Sequence, residues 1–593
     1  MKYFTYKETA LTGGFLYEKE HLNRDVTIHA VYDRFDETGR IGAFRFESDK
    51  ADIFWDSDVA KWMEGASYIL AKHPNVELEQ KVETLIDLIE KNQGEDGYFN
   101  IHYTVQEPDG RWTKRPNHEL YCAGHLFEAA IAYADATGKD RFLKCMEKYA
   151  DYIYKIFVED DSAMFSTPGH EEIELALVRM YRYTGKKKYL DLAAHFINRR
   201  GVAEKDGHSS YDQSHLPVRE QTEAVGHAVR AVYLYSAMAD LALELEDEAL
   251  KKACKALYED IINHKMYITG GIGSCHLGET FSKPYDLPNG EAYTETCAGI
   301  GLMFFCQRML ALEHHASYAD TIERVLYNGL LSGLSLDGKA FFYENPLEIT
   351  MLDHFSNEYG RRRFPITQRR EAFSCSCCPP NINRLFPRLA EYIYGLDGDT
   401  LYINQFASSQ LNADGIQVET ETNYPVNGNI RIRAEGVKKI AVRIPSWCAA
   451  YDLPVPHTLK NGYAVIENCT EFVLNLDMIP FAIRSNPHVV KDSGRLCIQA
   501  GPIVYCAESV DNGENLHAFA IPATFDYIMQ FDKTLGLNTL TIDAFRYPDT
   551  ENKLYIRAAD APKLSPAKLK LIPYYAFANR GESDMLVWFN EKI

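Results

Sequence analysis

Two short stretches of this 593-residue chain carry the residues best suited to chemistry: Glu295-Thr296-Cys297 and Cys375-Ser376-Cys377-Cys378-Pro379-Pro380-Asn381. They bring one carboxylate and up to four thiols into play, enough for a metal centre or a reactive thiolate. Taken as ligands, Glu295, Cys297, Cys377 and Cys378 make a Cys3Glu set, and thiolate-rich tetrahedral sites favour zinc. The spacing is not that of two CxxC pairs. Small buried thiols in a core and a vicinal Cys377–Cys378 disulfide are the competing readings. Proline restricts the residue before it, so Cys378 is expected in extended backbone, where adjacent side chains diverge. The pair meets one metal only if the chain bends sharply, and Pro379 and Pro380 are expected to hold that turn.

A second carboxylate, Glu279, ends the run Thr269-Gly270-Gly271-Ile272-Gly273-Ser274-Cys275-His276-Leu277-Gly278-Glu279. Its glycines do not follow a strand, which argues against a dinucleotide loop. A loop that carries one acid toward a pocket fits better; an ordinary solvated Glu is the alternative. His118 and His170 stand at expected helix starts. His227 is expected inside a helix, one turn after Glu223. Polar side chains at the starts of inner helices of a helical ring would face one central pocket, a funnel suited to sugars.

The formal charge of −21 disfavours nucleic acid, whose binding depends on cationic side chains. The basic run Arg361-Arg362-Arg363 is short and is assigned to ion pairing. Thirty-eight Tyr and thirty Phe suit neutral, hydroxyl-rich ligands. No apolar run approaches the ~20 residues of a membrane span, and the amino terminus lacks the apolar core of a secretory signal. Thirteen cysteines without that signal point to reduced thiols and a cytoplasmic location.

Apolar spacing of three and four predicts helices over 121–136, 142–157, 171–184, 188–199, 221–245 and 247–264. Thr137-Gly138 before Phe142-Leu143 recurs as Thr184-Gly185 before Tyr189-Leu190, an offset of 47 residues that fits stacked helical hairpins. Six hairpins make an (α/α)6 barrel, assigned to 1–395. Short segments over 400–407, 429–434, 438–444, 463–467, 471–476, 495–499 and 553–558 predict strands. Region 396–593 is therefore read as β-sandwich, divided into two sandwiches. The fold class is α+β multidomain.

The segments His118-Glu119-Leu120-Tyr121, Val225-Gly226-His227-Ala228, Gly278-Glu279, Glu295-Thr296-Cys297, Tyr327-Asn328-Gly329 and Cys377-Cys378-Pro379-Pro380-Asn381, in this order, resemble glycoside hydrolase family 127. The resemblance spans about residues 10–390, with a β-rich remainder of the same kind. It implies an (α/α)6 barrel, β-sandwich domains and an activity typified by β-L-arabinofuranosidases on small oligosaccharides or glycosides. It implies zinc held by Glu295, Cys297, Cys377 and Cys378, with Cys377 as nucleophile and Glu279 as acid/base. His118, His170, His227, Glu323 and Tyr343 become sugar contacts, and Cys375 is given no role. Another pectic sugar such as aceric acid is an alternative substrate. An epimerase that uses the histidines, or a sugar-binding protein with structural zinc, are the alternative functions. Assembly into a homo-oligomer is left open.

Overall fold

The computed structural model describes residues 2–47, 50–355, 365–550 and 553–592; Arg361-Arg362-Arg363 lies outside them. Six helices form the inner layer of the first region: α1 (Trp55–Lys72), α2 (Glu119–Thr137), α3 (Ile173–Thr184), α4 (Ala228–Glu244), α5 (Thr296–Leu312) and α6 (Cys378–Leu385). Each packs on the next, and α6 returns to α1, so the ring closes. The inner helices are buried nearly all round. α5, for instance, reads TCAGIGLMFFCQRMLAL, as a helix with neighbours on every side must. Outside them lie helices with one apolar stripe, among them Val76–Asn92, Arg141–Tyr154, Lys187–Arg199, Glu248–Asp260 and Ala316–Arg324. The repeat anticipated at Gly138 and Gly185 is present. Both glycines end an inner helix in the left-handed region, at φ 74° and 72°, where a Cβ would be strained.

Closure depends on a close approach. A Cβ on Gly65 of α1 would sit 2.8 Å from the backbone of Asn383 in α6. α6 is also where expectation and structure part. Cys378 is not extended: Cys377 caps the helix at φ −70°, ψ −30°, and Pro379 and Pro380 occupy its first turn. A helix start tolerates proline because its first amides lack intrahelical acceptors in any case. The bend expected from a tight turn is supplied by the onset of a helix.

His227 likewise lies outside its helix, as the N-cap of α4. The helix expected from residue 221 begins seven residues later, because Ala224 and Val225 extend the apolar pattern into a loop. His170 precedes the N-cap of α3, Glu172.

Among the described residues the strands form two six-stranded sheets and a ten-stranded one. Residues 553–558, expected as a strand, form none. The division at 395 is crossed in space. Lys2–Tyr3 pairs with Tyr394–Asp397, Thr9–Gly13 with Ser408–Ala413, and Glu348–Ile349 with Met585–Leu586. Early residues thereby tie the helical ring to the sheets. Among the described residues no helix is long and apolar enough to cross a membrane.

Gly65→Ala tests the closing contact. In an unconstrained helix the change is favourable by up to about 1 kcal/mol; here the methyl meets backbone, and we expect a net loss of about 1–3 kcal/mol in chemical denaturation.

Candidate functional site

The N-termini of all six inner helices converge on one pocket. Their N-caps are Phe54, His118, Glu172, His227, Glu295 and Cys377, and all but Glu172 line a cavity of about 250 Å3 together with His170, Glu279, Tyr343, Cys297 and Cys375. Unpaired amides and aligned peptide dipoles make such a mouth favourable to anions.

Four donors lie on two adjacent starts: Glu295 and Cys297 on α5, Cys377 and Cys378 on α6. The sulfur–sulfur distances are 3.6 Å (Cys297–Cys377), 3.4 Å (Cys297–Cys378) and 3.7 Å (Cys377–Cys378). Glu295 Oε1 lies 3.5 Å from Cys377 Sγ and 3.7 Å from Cys378 Sγ. Metal–sulfur bonds of about 2.3 Å in a tetrahedron separate sulfurs by roughly 3.8 Å, so the set has the size and donor chemistry of a closed four-ligand metal site. Glu295, Cys297 and Cys378 are buried, whereas Cys377 is half-buried on the pocket wall. Burial raises the Cys378 thiol and the Glu295 carboxyl well above their usual ranges. Cys297 is also buried, but its hydrogen bonds with Cys377 and Cys378 outweigh this and bring it down to about 6.

The loop around the cysteines is held from α1. Asp58, fully buried, pairs with Arg40 (Nε–Oδ2 3.0 Å), and Arg40 donates to the carbonyls of Phe373 and Ser374. Beneath the pocket the buried Lys61 donates to the hydroxyl of Tyr121 at 2.6 Å. Tyr343 is fixed beside the cluster: its carbonyl accepts from Thr296 N–H, and the Cys377 thiol donates to its hydroxyl at 3.4 Å.

Glu279 is aimed by strained backbone. Gly278 and Glu279 both adopt positive φ, 70° and 58°, the second uncommon for a side-chain-bearing residue and typical of functional sites. The next residue, Thr280, bridges to His227, and Glu279 Oε2 lies 2.8 Å from His227 Nε2. His227 Nδ1 accepts from the backbone N–H groups of Val229 and Arg230, which places the ring proton on Nε2. The contact is therefore a neutral imidazole donating to a carboxylate, in keeping with the burial that depresses His227. Burial would raise Glu279, but this hydrogen bond and that of Tyr293 hold it down, to about 2. Glu279, His227 and Glu295 offer donor atoms within 4.8 Å of one another, so the loop acid and the thiol cluster are neighbours. His118 and His170 complete the wall at ring separations of 5.4 Å and 5.5 Å along His118–His170–His227. Burial and then the charge of Arg230 depress both, His118 to about 3.

Of the residues singled out in the sequence, Cys377, Cys378, Cys297, Glu295, Glu279, His118, His170, His227 and Tyr343 are brought together. Glu323 is not. It lies on the outer helix Ala316–Arg324, 1% exposed, with its carboxylate on Arg443 and accepting from Tyr424 (2.6 Å) and Trp447 (2.8 Å). It fastens the helical ring to the sheets and does not touch the pocket. Sequence reasoning missed Arg40, Asp58, Lys61, Tyr121, Tyr211 and Arg230. Arg230 left a trace: a cation in the first turn of a helix opposes the dipole and needs a reason.

Comparison with known proteins gives a consistent result. Residues 8–391 match the family profile described as beta-L-arabinofuranosidase, GH127 catalytic domain; 400–469 match its middle domain, and 480–590 the glycoside hydrolase family 127 C-terminal domain. A non-reducing end beta-L-arabinofuranosidase of Bifidobacterium longum is 36% identical, over 90% of this chain and 89% of the relative. The crystal structure of a GH127 beta-L-arabinofuranosidase from Geobacillus stearothermophilus T6 superposes with a TM-score of 0.93 at 40% identity, covering 98% of this chain and all of the other. A second solved GH127 beta-arabinofuranosidase gives a TM-score of 0.90 at 35% identity, covering 100% and 98%.

Two variants separate the metal-fitting cluster from the domain joint. Cys378→Ser should lower the metal retained after dialysis more than about tenfold. In the unaltered protein, apparent metal affinity should rise with pH, because ligand thiols release protons on binding. Glu323→Gln should leave metal content unchanged. By removing one of the two carboxylates on the buried Arg443 guanidinium, which keeps Asp320, it should cost about 1–3 kcal/mol in denaturant unfolding.

Proposed function

The chain belongs to glycoside hydrolase family 127, and on that premise we propose that this hydrolase is exo-acting and retaining, and removes a terminal β-L-arabinofuranose from small oligosaccharides or glycosides. The observation that carries this reading is the position of Cys377, the half-buried member of the thiol cluster, in the same pocket as Glu279. The sugar assignment is supported by the β-L-arabinofuranosidase activity named for the Bifidobacterium relative. It is also supported by a cavity below the roughly 300–1,000 Å3 of pockets for drug-sized ligands, which suits one small sugar unit. We read the closed ring of inner helices with its outer partners as an (α/α)6 barrel. The alternation of buried and exposed residues in strands such as Asn429–Glu435 supports β-sandwich domains.

We assign Glu295, Cys297, Cys377 and Cys378 as the residues that would hold zinc; a thiol-rich, tetrahedron-sized donor set favours that ion. When bound, zinc keeps its cysteine ligands deprotonated at neutral pH. Cys377 Sγ attacks the anomeric carbon as Glu279 gives its proton to the glycosidic oxygen. The C–O bond breaks, and a thioglycosyl enzyme forms with the sugar on sulfur. Glu279, now ionised, takes a proton from water; that oxygen attacks the same carbon, and Cys377 leaves as thiolate. Two displacements retain the configuration. Tyr343 donates to the thiolate, and the three neutral histidines offer N–H donors and lone pairs to the sugar hydroxyls. A reducing location, the cytoplasm, suits a thiolate nucleophile, and all thirteen cysteines are unpaired.

Proton NMR of the first product should show the β anomer before mutarotation; release of the α anomer would overturn the double displacement. Cys377→Ser should lower turnover by about 10⁴-fold or more in protein whose circular dichroism is unchanged. Glu279→Gln should cost about 10²–10⁴-fold with sugar leaving groups and far less with p-nitrophenolate, which departs without a proton.

His227→Asn tests the coupling to the acid. Asn keeps an N-cap side chain but cannot reach Glu279. The Glu279 carboxyl, relieved of its donor, should titrate higher. Since the acid works only when protonated, and activity falls as pH rises through its pKa, the descending limb of kcat/KM should move to higher pH.

A further inference from the structure

Beside the catalytic pocket stands a built surface that the sugar-cleaving residues do not use. Tyr211 lines the mouth of the cavity and is 37% exposed. Its carbonyl accepts from the backbone N–H of His227 at 3.0 Å, and its ring meets the His227 ring edge-on at 5.8 Å. The Arg230 guanidinium lies 4.6 Å from the Tyr211 ring centroid and is fixed by donation to the Gly169 carbonyl. Arg230 is 5% exposed, and its Nε–H meets no acceptor among the described residues.

Position gives the pair its meaning. An acid must stand within hydrogen-bond reach of the oxygen it protonates, so the leaving group departs on the side of Glu279. Glu279 and Tyr211 flank the same histidine. Gly278, next to the acid, lies against the Tyr211 ring, since a Cβ there would be 3.2 Å from it. The cavity holds one small sugar, so the group beyond the scissile bond must rest at the rim. There it meets an aromatic ring partly open to solvent, backed by the Arg230 guanidinium.

We propose that Tyr211, backed by Arg230, forms the subsite for the leaving group, and that the group it takes is a second sugar ring, its C–H face on the tyrosine. This rests on the glycosidase reading given above. Tyr phenol rings are well suited to such a rim, apolar on the face and polar at the tip, and a guanidinium behind the ring fixes its orientation.

The test compares two substrates with zinc-loaded enzyme: a disaccharide with a terminal β-L-arabinofuranose, and methyl β-L-arabinofuranoside, whose leaving group has no ring. The unaltered enzyme should favour the disaccharide in kcat/KM. Tyr211→Ala should reduce that preference by about tenfold, the scale of one aromatic contact; Tyr211→Leu, which keeps bulk but no ring, should reduce it similarly, and Tyr211→Phe should preserve it. Isothermal titration with free L-arabinose, which fills the inner pocket alone, should change less than about twofold in Tyr211→Ala. An unchanged preference in both the Ala and the Leu variants overturns the subsite. So does an L-arabinose affinity that falls in step with disaccharide turnover. An unaltered enzyme that cleaves neither substrate overturns the β-L-arabinofuranose reading and the subsite with it.

Discussion

The structure turns on the packing of three sulfurs and one carboxylate oxygen, separated by 3.4–3.7 Å where they touch, at the starts of two neighbouring helices. Such crowding of potential anions is unfavourable by itself. It is eased by the positive ends of α5 and α6, each worth roughly 0.3–1 kcal/mol at an exposed start and more when partly buried, and by the pairing of Asp58 with Arg40 that fixes the loop from the other side. A bound cation removes the remaining repulsion outright. Glu295 and Cys297 come from α5 and the cysteine pair from α6, helices that pack on each other, and α6 is held on its other side by α1 through Gly65.

The same geometry shows what could be read in advance. Residues at helix starts are marked in the sequence by glycine stops before them and by the onset of apolar periodicity after them. His118 was therefore placeable and Gly138 and Gly185 revealed the repeat, whereas Glu295 was assigned to no helix. Cys377-Cys378-Pro379-Pro380 was misread in detail because proline's effect on the preceding residue was weighed without the alternative of a helix start, where proline costs little. Glu323 was misplaced for a different reason. Its environment is set by Arg443, 120 positions later, and no local pattern reports a partner on another domain. Arg40 and Tyr211 were invisible likewise: each acts through a carbonyl or a ring contact with residues far from it in sequence.

The β region is more than an appendage. Lys2–Tyr3 and Thr9–Gly13 are strands of its sheets, and Arg443 from a central strand neutralises Asp320 and Glu323 on the outer helix. Truncation between the two regions would strand backbone hydrogen bonds on one side and buried charges on the other. The helical ring is thus not an independent unit with a detachable tail. Its outer layer at Ala316–Arg324 is completed by the sheet.

One tension runs through the site. Six helix starts that favour a thiolate also favour an ionised Glu279, and His227 adds a hydrogen bond that holds it down, yet the first displacement of the proposed mechanism requires that carboxyl to carry a proton. The resolution lies in what the sugar changes. A ligand that fills the cavity removes solvent from a carboxylate whose side chain is about one-third exposed in the open pocket, and desolvation raises carboxyl groups. On the proposed reading, a sugar hydroxyl that accepts from His227 Nε2 would take the donor away at the same moment. The histidine cannot respond by becoming a cation, because its Nδ1 is committed to the backbone amides of Val229 and Arg230. On that mechanism neutral His227 would switch hydrogen-bond partner without a switch of charge. On the mechanism proposed above, substrate binding would draw a proton from solvent onto Glu279 and convert the ionised form of the empty pocket to the acid that the cleavage needs.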